Sequence, residues 1–222
     1  MIGRIAAACM PSSSPAEWLH PGGTALLLVD LQQGTCGDAQ PRPDPDFDRR
    51  FRATTLPNAQ LALAAARQGG LEVIHTLIAN LTADGRDRSF DYKRCGMGFP
   101  PGSRAAEVIA ELVPLADELV LPKSSSSPFS STSLDYLLRN LGIRTLVVIG
   151  LLTDQCIDHT VKDAADRGYC VVCVHDACQA ATPERHAAAL ECFAGYGEQI
   201  SSGDFVAALK AQPCPQAIGS GS

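Results

Sequence analysis

The chain has 222 residues, of which 45% are hydrophobic and 19% are charged, and its formal net charge is −6. This length and apolar content suffice for one α/β domain with a single buried core. The acidic balance argues against nucleic acid and anionic membrane surfaces as partners, and no apolar run approaches the length of a membrane span.

Short apolar segments alternate with helical patterns along the chain. The predicted strands are 24–30 (TALLLVD), 71–77 (LEVIHTL), 118–121 (ELVL), 145–149 (TLVVI) and 169–175 (YCVVCVH). The predicted helices are 47–68, 103–112, 132–140, a segment that follows Cys156 and ends at Gly168, and 183–193. Near-continuous apolar runs are typical of strands buried on both faces. The alternation therefore predicts an α/β fold, with a doubly wound, mostly parallel sheet flanked by helices on both faces.

Outside these elements, the sequence predicts a flexible N-terminal arm (1–22), a single domain (23–210) and a disordered tail (211–222). The apolar patch of the arm is too short for the core of a signal peptide, and Trp18 is expected to pin its end to the domain. Nine scattered cysteines without a signal peptide favour free thiols in a reducing cytoplasm. Two polar loops, 34–46 and 80–102, are long enough to be binding elements.

Three reactive residues follow three of the predicted strands. Asp30 closes the first, Lys123 follows the third and Cys156 follows the fourth. Because ligands of parallel sheets bind beyond the carboxyl ends of the strands, these side chains are expected to converge. Cys156 also lies at a strand-to-helix junction, where the positive end of the helix dipole favours a thiolate.

An acid, an amine and a thiol in this arrangement are typical of nucleophilic catalysis. A carboxylate within reach of the thiol takes its proton as the sulfur attacks, and then returns the proton to a leaving amine. A lysine beside both groups keeps the carboxylate ionised and stabilises the thiolate. The tight turn 150–153 is placed to aim backbone N–H groups at a developing oxyanion.

The motifs around these residues resemble the isochorismatase-like cysteine hydrolases. They are LLLVDLQQG with Asp30, LPKSSSSPFSSTSLDYLLRNLGI with Lys123, and VVIGLLTDQCIDHTVKDAADRGY with Cys156, in this order within residues 24–205. The resemblance implies the isochorismatase-like fold and a catalytic triad of these three residues. It also implies cleavage of the C–N bond of a small amide, ureide or carbamoyl compound through a thioester, with release of ammonia or an amine.

The same resemblance implies further features. The peptide bond Leu151–Leu152 is expected to be cis, and the backbone N–H groups of Leu152 and Cys156 are expected to form the oxyanion hole. A homo-oligomer, either a dimer or a tetramer, is expected. Nicotinamidase relatives carry a histidine-containing metal motif, but the segments 80–102 and 38–48 contain no histidine. No metal or other cofactor is therefore expected.

Substrate-binding residues are predicted less directly. Asn80, Arg86 and Tyr92 offer hydrogen-bond donors for a polar or carboxylate substrate. Gln32, shortly after the first strand, is also a candidate. Phe129 belongs to a K-x-x-x-S-x-F segment similar to that of the family and fits either a pocket wall or a core position.

Other functions remain open from the sequence. One is an isochorismatase-type or other non-amide hydrolase on the same scaffold, and another is a thiol redox-sensing or binding protein. Cys170 and Cys173 form a C-x-x-C motif, but alternation within one strand sends them to opposite faces, which favours structural thiols. Cys178 is interpreted as a small buried residue. His159, one turn after Cys156, is a less favoured catalytic base.

Overall fold

The computed structural model of the chain describes residues 18–39 and 45–211. Within these residues, six parallel strands form one sheet in the order β3-β2-β1-β4-β5-β6. The strands are β1 (Thr24–Val29), β2 (Glu72–Ile78), β3 (Leu119–Lys123), β4 (Thr145–Leu151), β5 (Cys170–Gln179) and β6 (Glu198–Ile200). The predictions of a flexible arm and a disordered tail fall almost entirely on residues 1–17 and 212–222, which lie outside the described residues.

In the described ranges, eight α-helices connect or flank the strands. They are α1 (Pro45–Arg50), α2 (Leu56–Gln68), α3 (Phe90–Cys95), α4 (Pro128–Ser131), α5 (Leu134–Asn140), α6 (Asp158–Asp166), α7 (Pro183–Phe193) and α8 (Ser202–Lys210). A π-helical turn, Phe51–Thr55, joins α1 to α2, and another, Thr153–Ile157, precedes α6. No helix in the described part of the chain is long and apolar enough to cross a bilayer.

Both faces of the sheet are covered, as the apolar strands predict. Along β1, Leu26 and Leu28 face a core formed with α2 and α8, whereas Ala25, Leu27 and Val29 face a second core formed with α5, α6 and α7. This period-two division is that of a strand buried on both sides. The predicted doubly wound α/β fold is confirmed.

The strand order places the candidate site at the centre of the sheet. The order reverses between the neighbours β1 and β4, and such a switch point is where doubly wound sheets bind ligands at the carboxyl ends of their strands. At the end of β4, Gly150 has φ +127°, and an added Cβ there would collide with the carbonyl oxygen of Val29. Only glycine allows β4 to approach β1 this closely beside Asp30.

The predicted helix 103–112 is wrong. This segment forms two short 3₁₀ turns, Arg104–Ala106 and Ala110–Leu112, separated by extended backbone. The carbonyl oxygens of Ala105 and Glu107 accept hydrogen bonds from the loop that follows β1. These tertiary hydrogen bonds replace those that a helix would have formed.

The N-terminal end of the described chain is anchored as expected. Trp18 is buried, and its carbonyl oxygen accepts hydrogen bonds from the hydroxyl groups of Thr24 (3.2 Å) and Thr145 (2.9 Å). Leu19 is fully buried in the same core as Leu26. Trp18 and Leu19 of the predicted arm are therefore packed into the domain beside the first residues of β1 and β4.

Candidate active site

The three predicted catalytic side chains meet in one buried cluster. Asp30 follows β1, Lys123 ends β3, and Cys156 lies in the π-helical turn between β4 and α6. The Nζ of Lys123 lies 2.9 Å from Oδ2 of Asp30 and 3.4 Å from Sγ of Cys156. The three residues are 1%, 0% and 5% exposed, respectively. The convergence inferred from the strand ends is thus present in the structure.

The backbone of Asp30 is held in an uncommon conformation. Its φ of 56° lies in the left-handed region, which asparagine and aspartate tolerate better than most residues. The Asp30 N–H donates to the carbonyl oxygen of Thr76 (2.9 Å), and its own carbonyl oxygen accepts a hydrogen bond from the Thr35 hydroxyl. These bonds turn the chain sharply at the end of β1 and direct the carboxylate toward Lys123.

Lys123 is fixed by contacts on several sides. In addition to Asp30 and Cys156, its ammonium group donates to the Tyr92 hydroxyl (3.0 Å) and to the carbonyl oxygen of Ser125 (2.9 Å). A buried ammonium group is stable only where donors find acceptors and the charge finds a partner. The lysine is therefore a fixed positive charge rather than a mobile surface group.

Tyr92, predicted from the sequence to bind substrate, contacts Lys123 and Cys156 in the cluster and is not part of the lining of the adjacent cavity. Its hydroxyl lies 3.6 Å from Sγ of Cys156 as well as 3.0 Å from the Lys123 ammonium group. Ser89 caps the short helix α3 by accepting from the Tyr92 N–H, and the Ser89 N–H donates to the carbonyl oxygen of Ser124, next to Lys123. This anchoring brings the 80–102 segment onto the end of β3 and places Tyr92 beside the sulfur of Cys156.

Burial controls the protonation of the cluster. It raises the pKa of the Cys156 thiol to about 12, against the opposing effect of Lys123, and it raises the pKa of Asp30 above its ordinary value. Burial lowers the pKa of Lys123, but Asp30 and Cys156 together offset this and the pKa is raised. The helix-dipole expectation of a preformed thiolate is therefore not met, because desolvation outweighs the favourable charges.

The phenol of Tyr92 also stays protonated. Burial, followed by the negative charges of ionised Cys156 and Asp30, raises the pKa of Tyr92 far above its ordinary value. The hydroxyl accepts a hydrogen bond from Lys123, so its own proton is available to the sulfur. Tyr92 can therefore act as a hydrogen-bond donor but not as a base.

A cavity of about 450 Å³ opens onto the cluster. Its lining residues are Asp30, Gly34, Thr35, Phe47, Ile78, Met97, Leu151, Leu152, Gln155, Cys156 and Ala181. The peptide bond Leu151–Leu152 is cis, as the family resemblance implies. The Cys156 thiol and the Asp30 carboxylate thus face the same cavity. Leu152 and Cys156, whose N–H groups are predicted to form the oxyanion hole, border it.

Two predicted substrate-binding residues, Gln32 and Asn80, do not line this cavity. The Gln32 side chain donates to the carbonyl oxygens of Ile78 (3.0 Å) and Ala105 (2.8 Å) and accepts from the Ile78 N–H (2.6 Å). Asn80 is buried, and its N–H donates to the carbonyl oxygen of Phe99. Gln32 therefore joins the loop after β1 to β2 and to the 103–112 segment.

Arg86 and Phe129 also lie away from the cavity lining. Arg86 is exposed and pairs with Asp84 (3.0 Å) on the surface. The Phe129 ring packs 5.9 Å from the ring of Tyr169 and 4.9 Å from the guanidinium carbon of Arg167. Of the two positions left open for Phe129, the structure shows the core position.

Several cavity residues were not found by sequence reasoning. Phe47 lies in α1, and Met97 lies in the loop after α3. The sequence places Phe47 at the start of a helix and Met97 between two glycines, but neither pattern shows which side chain faces a cavity. The loop length alone indicated that the 80–102 segment would contribute to a site.

Among the residues that the structure describes, the remaining cysteines do not form a second site. No disulfide joins the cysteines in the described ranges, and Sγ of Cys173 lies 3.8 Å from Sγ of Cys178, both side chains being buried. The close thiol pair is thus Cys173 with Cys178, rather than the two residues of the C-x-x-C motif. His159 is exposed on α6. Within residues 18–39 and 45–211, no cluster of His, Cys, Asp and Glu could hold a metal ion.

Comparisons with known proteins agree with the fold and with the motifs. The family model described as "Isochorismatase domain" matches residues 24–204. Ureidoacrylate amidohydrolase RutB of Pantoea ananatis (strain LMG 20103) is 32% identical over 203 residues, which cover 82% of this chain and 80% of that protein. RutB of Serratia proteamaculans (strain 568) is 29% identical over 220 residues, covering 87% and 86%.

Solved structures show the same relationship. The N-carbamoylsarcosine amidase from Thermoplasma acidophilum superposes with a TM-score of 0.66 at 28% identity, covering 81% of this chain and 96% of that chain. A cysteine hydrolase from Pseudomonas syringae pv. phaseolicola 1448A has a TM-score of 0.76 at 24% identity, covering 87% and 95%, and supports the fold alone. The family match spans most of the chain, so this protein belongs to the isochorismatase family.

Proposed function

We propose that this protein is a cysteine-dependent amidohydrolase that cleaves the C–N bond of a small amide, ureide or carbamoyl compound. The observation that carries the proposal is the contact of Asp30, Lys123 and Cys156 beside a cavity large enough for a small molecule. Relatives named ureidoacrylate amidohydrolase and N-carbamoylsarcosine amidase support hydrolysis of a non-peptide C–N bond. The proposed reaction proceeds in two halves through a thioester.

In the first half, Asp30 removes the thiol proton of Cys156 as the sulfur bonds to the substrate carbonyl carbon. The carbonyl oxygen gains negative charge and is stabilised by the backbone N–H groups of Leu152 and Cys156. The intermediate then collapses, the C–N bond breaks, and Asp30 gives its proton to the departing nitrogen. Ammonia or an amine leaves, and the acyl group remains on sulfur as a thioester.

In the second half, water replaces the nitrogen. Asp30 takes a proton from the water as its oxygen bonds to the thioester carbon. The C–S bond breaks, the acid product forms, and the proton returns from Asp30 to the departing sulfur. Cys156 is again a thiol and Asp30 a carboxylate, so the cycle is balanced without a cofactor.

Lys123 and Tyr92 support the charge that develops on sulfur. A thiol with a raised pKa is a poor nucleophile until its proton is removed, and the anion then needs stabilisation in a desolvated site. The Lys123 ammonium group lies 3.4 Å from the sulfur and the Tyr92 hydroxyl 3.6 Å from it. The same two groups stabilise the sulfur when it departs from the thioester.

We expect Tyr92→Phe to lower kcat by about 10- to 100-fold, the value of one hydrogen bond to a charged group. The thiol pKa should rise further, so alkylation of Cys156 by iodoacetamide at pH 9 should slow by a similar factor. Quantifying the Cys156 adduct by mass spectrometry separates it from the other thiols.

The matched control is Tyr169→Phe, which removes another partly buried hydroxyl that donates to Asp135 (2.8 Å). This variant should retain the wild-type kcat and Cys156 alkylation rate. If Tyr92→Phe matched the control in both measurements, the hydroxyl would have no role in supporting the sulfur.

The activity is expected to fall on the acid side with the titration of Asp30. The base must be ionised, and burial raises its pKa above the ordinary 3.8. As pH falls through this raised pKa, the carboxylate becomes protonated and kcat/KM should drop about tenfold per pH unit, with a midpoint above about pH 4.

kcat/KM should not rise near pH 8.5, where an ordinary thiol ionises at about its usual pKa. The reason is that burial raises the pKa of Cys156 to about 12. A pH profile of kcat/KM from pH 3 to pH 10 measures both features. An acid midpoint below the ordinary aspartate value, or a rise in rate centred near pH 8.5, would contradict this assignment of base and nucleophile.

The proposed function as a whole is tested by assaying ammonia or amine release from a panel of small amides, ureides and carbamoyl compounds. Release matched by an equal amount of the acid product is expected for at least one compound. Hydrolysis of esters or vinyl ethers with no C–N cleavage in any compound would instead indicate a non-amide hydrolase.

Two narrower proposals concern the cellular compartment and the oligomeric state of the protein. We propose that the protein works in a reducing cytoplasm, because the described cysteines form no disulfide and Cys173 lies beside Cys178 without bonding to it.

We also propose that the protein is a homo-oligomer, a dimer or tetramer. The exposed apolar side chains of Leu81 and Phe90, on the segment that carries Tyr92, support a subunit contact there. Light scattering of the purified protein tests the second proposal.

A further inference from the structure

We infer that the part of the substrate that does not react is a compact, uncharged, apolar group, such as a short branched alkyl chain. This inference rests on the proposed function, because it assigns the cavity beside Cys156 to the substrate. The cavity wall carries the argument. Most of its lining side chains are hydrocarbon or thioether groups, and they come from separate parts of the chain: Phe47, Ile78, Met97, Leu151, Leu152 and Ala181.

The apolar wall is built on fixed elements. The Phe47 ring is buried and stacks on the Phe51 ring, with centroids 6.4 Å apart and an interplanar angle of 5°. On the opposite loop, an added Cβ at Gly34 would collide with the Phe99 ring, so that ring packs directly against the loop that follows Asp30. Met97 packs against the same small cluster of Ile78, Tyr92 and Phe99. The wall is therefore largely preformed.

The Thr35 and Lys123 side chains near the cavity are already engaged, and Gln155, which also lines it, is uncharged and exposed. The Thr35 hydroxyl contacts the carbonyl oxygens of Asp30 and Gln32. Lys123 is fully buried and is held by Asp30, Tyr92 and Ser125. No lysine or arginine of the described residues is part of the lining, and at the rim the Arg50 guanidinium donates to the carbonyl oxygen of Ala181 (2.7 Å).

A substrate carboxylate would be placed poorly in this cavity. It would lie against apolar side chains and close to the negative charge of Asp30, and no described lysine or arginine lines the cavity beside it. Burying an unpaired carboxylate is among the costliest changes in a protein interior. A neutral alkyl group would instead gain from leaving water.

The cavity volume limits the size of this group. At about 450 Å³ the cavity lies in the lower half of the range for small-molecule sites, which runs from about 300 to 1,000 Å³. Each buried methylene should raise kcat/KM about fourfold until the space is filled. We therefore expect the rate to rise from acetamide through propanamide and butanamide to 3-methylbutanamide.

The decisive experiment compares compounds of equal shape and different charge. 3-Methylbutanamide carries an isopropyl group where malonamate carries a carboxylate. In the same way, (2-methylpropyl)urea carries an isopropyl group where ureidoacetate carries a carboxylate. For whichever pair is hydrolysed faster, the amides or the ureas, kcat/KM for the neutral compound should exceed that for the acid by about 100-fold or more. Equal rates, or a preference for the acid, would overturn the inference.

A charge-reversal variant tests the wall itself. Met97 is only partly buried, so replacement with a longer polar side chain should not prevent folding. Met97→Arg should shift the ratio of kcat/KM toward the acid by about tenfold or more, whereas the uncharged control Met97→Gln should not. If the two variants changed the ratio equally, Met97 would not face the non-reacting group.

Binding separates this inference from the proposed function. The Cys156→Ala protein is titrated by calorimetry with both pairs of compounds. Binding of the neutral compounds without ammonia release by the wild type would leave the inference standing and refute the amidohydrolase proposal. Hydrolysis that favours the acids would refute this inference and support the amidohydrolase proposal. An absence of binding to every neutral compound would overturn the inference.

Discussion

Cys156→Ala protein should show no turnover above background, a loss in kcat of about 10⁴-fold or more. The sulfur is the only described thiol within contact of both Lys123 (3.4 Å) and the Tyr92 hydroxyl (3.6 Å). Without it, Asp30 has no proton to remove and the acyl group has no acceptor. The loss should appear in kcat and kcat/KM alike, because the missing bond forms only during reaction.

The control for this variant is Cys192→Ala, which removes an exposed thiol from α7. It should retain the wild-type rate. Thermal unfolding of both proteins checks that the fold is intact. A Cys156→Ala enzyme that retained a tenth of the wild-type kcat would exclude a covalent step on this residue.

The second large effect is expected at Asp30, where loss of the carboxylate affects both chemistry and stability. Asp30→Asn should lower kcat by about 10²- to 10⁴-fold, the contribution typical of a general base. It should also lower the free energy of unfolding by about 3–5 kcal/mol, because Lys123 would remain buried without its ionic partner.

A double variant separates the two effects. In Asp30→Asn/Lys123→Met, neither buried charge remains, so most of the lost stability should return while the enzyme stays inactive. Urea denaturation of the wild type, both single variants and the double variant measures the coupling. Additive losses in stability would show that the ion pair at 2.9 Å does not couple the two residues energetically.

The sequence was sufficient to predict the sheet and the meeting of Asp30, Lys123 and Cys156, because both depend on local patterns. The apolar runs of β1, β4 and β5 are long enough to identify buried parallel strands, and parallel strands bring their carboxyl ends to one edge. Residues that follow those ends, Asp30 and Cys156, then meet as a consequence of topology. The three-residue strand β6 and the six-residue helix α3 are too short to leave a comparable pattern.

Features that depend on tertiary contacts were not accessible in this way. Tyr92 reaches Cys156 because Ser89 and Ser124 tie α3 to the end of β3, a contact between segments far apart in the chain. The raised pKa of the thiol depends on how completely Cys156 is buried, which no sequence motif states.

The structure places Arg86 and Phe129 away from the cavity lining for a related reason. The chemical type of a residue suggests what it could bind, but the direction of each side chain is set by its local packing. Phe47 and Met97 line the space instead. Apolar residues leave no chemical signal that separates a cavity wall from the core.

The central claim is that the acyl group of the substrate passes through the sulfur of Cys156, and the most direct measurement is mass spectrometry of the protein quenched in acid during turnover. The mass of the peptide that contains Cys156 should increase by the mass of the substrate less that of the released ammonia or amine. This added mass should be absent after the substrate is consumed. Steady turnover with Cys156 unmodified at every quench time, or an acyl group carried by a different residue, would contradict the mechanism.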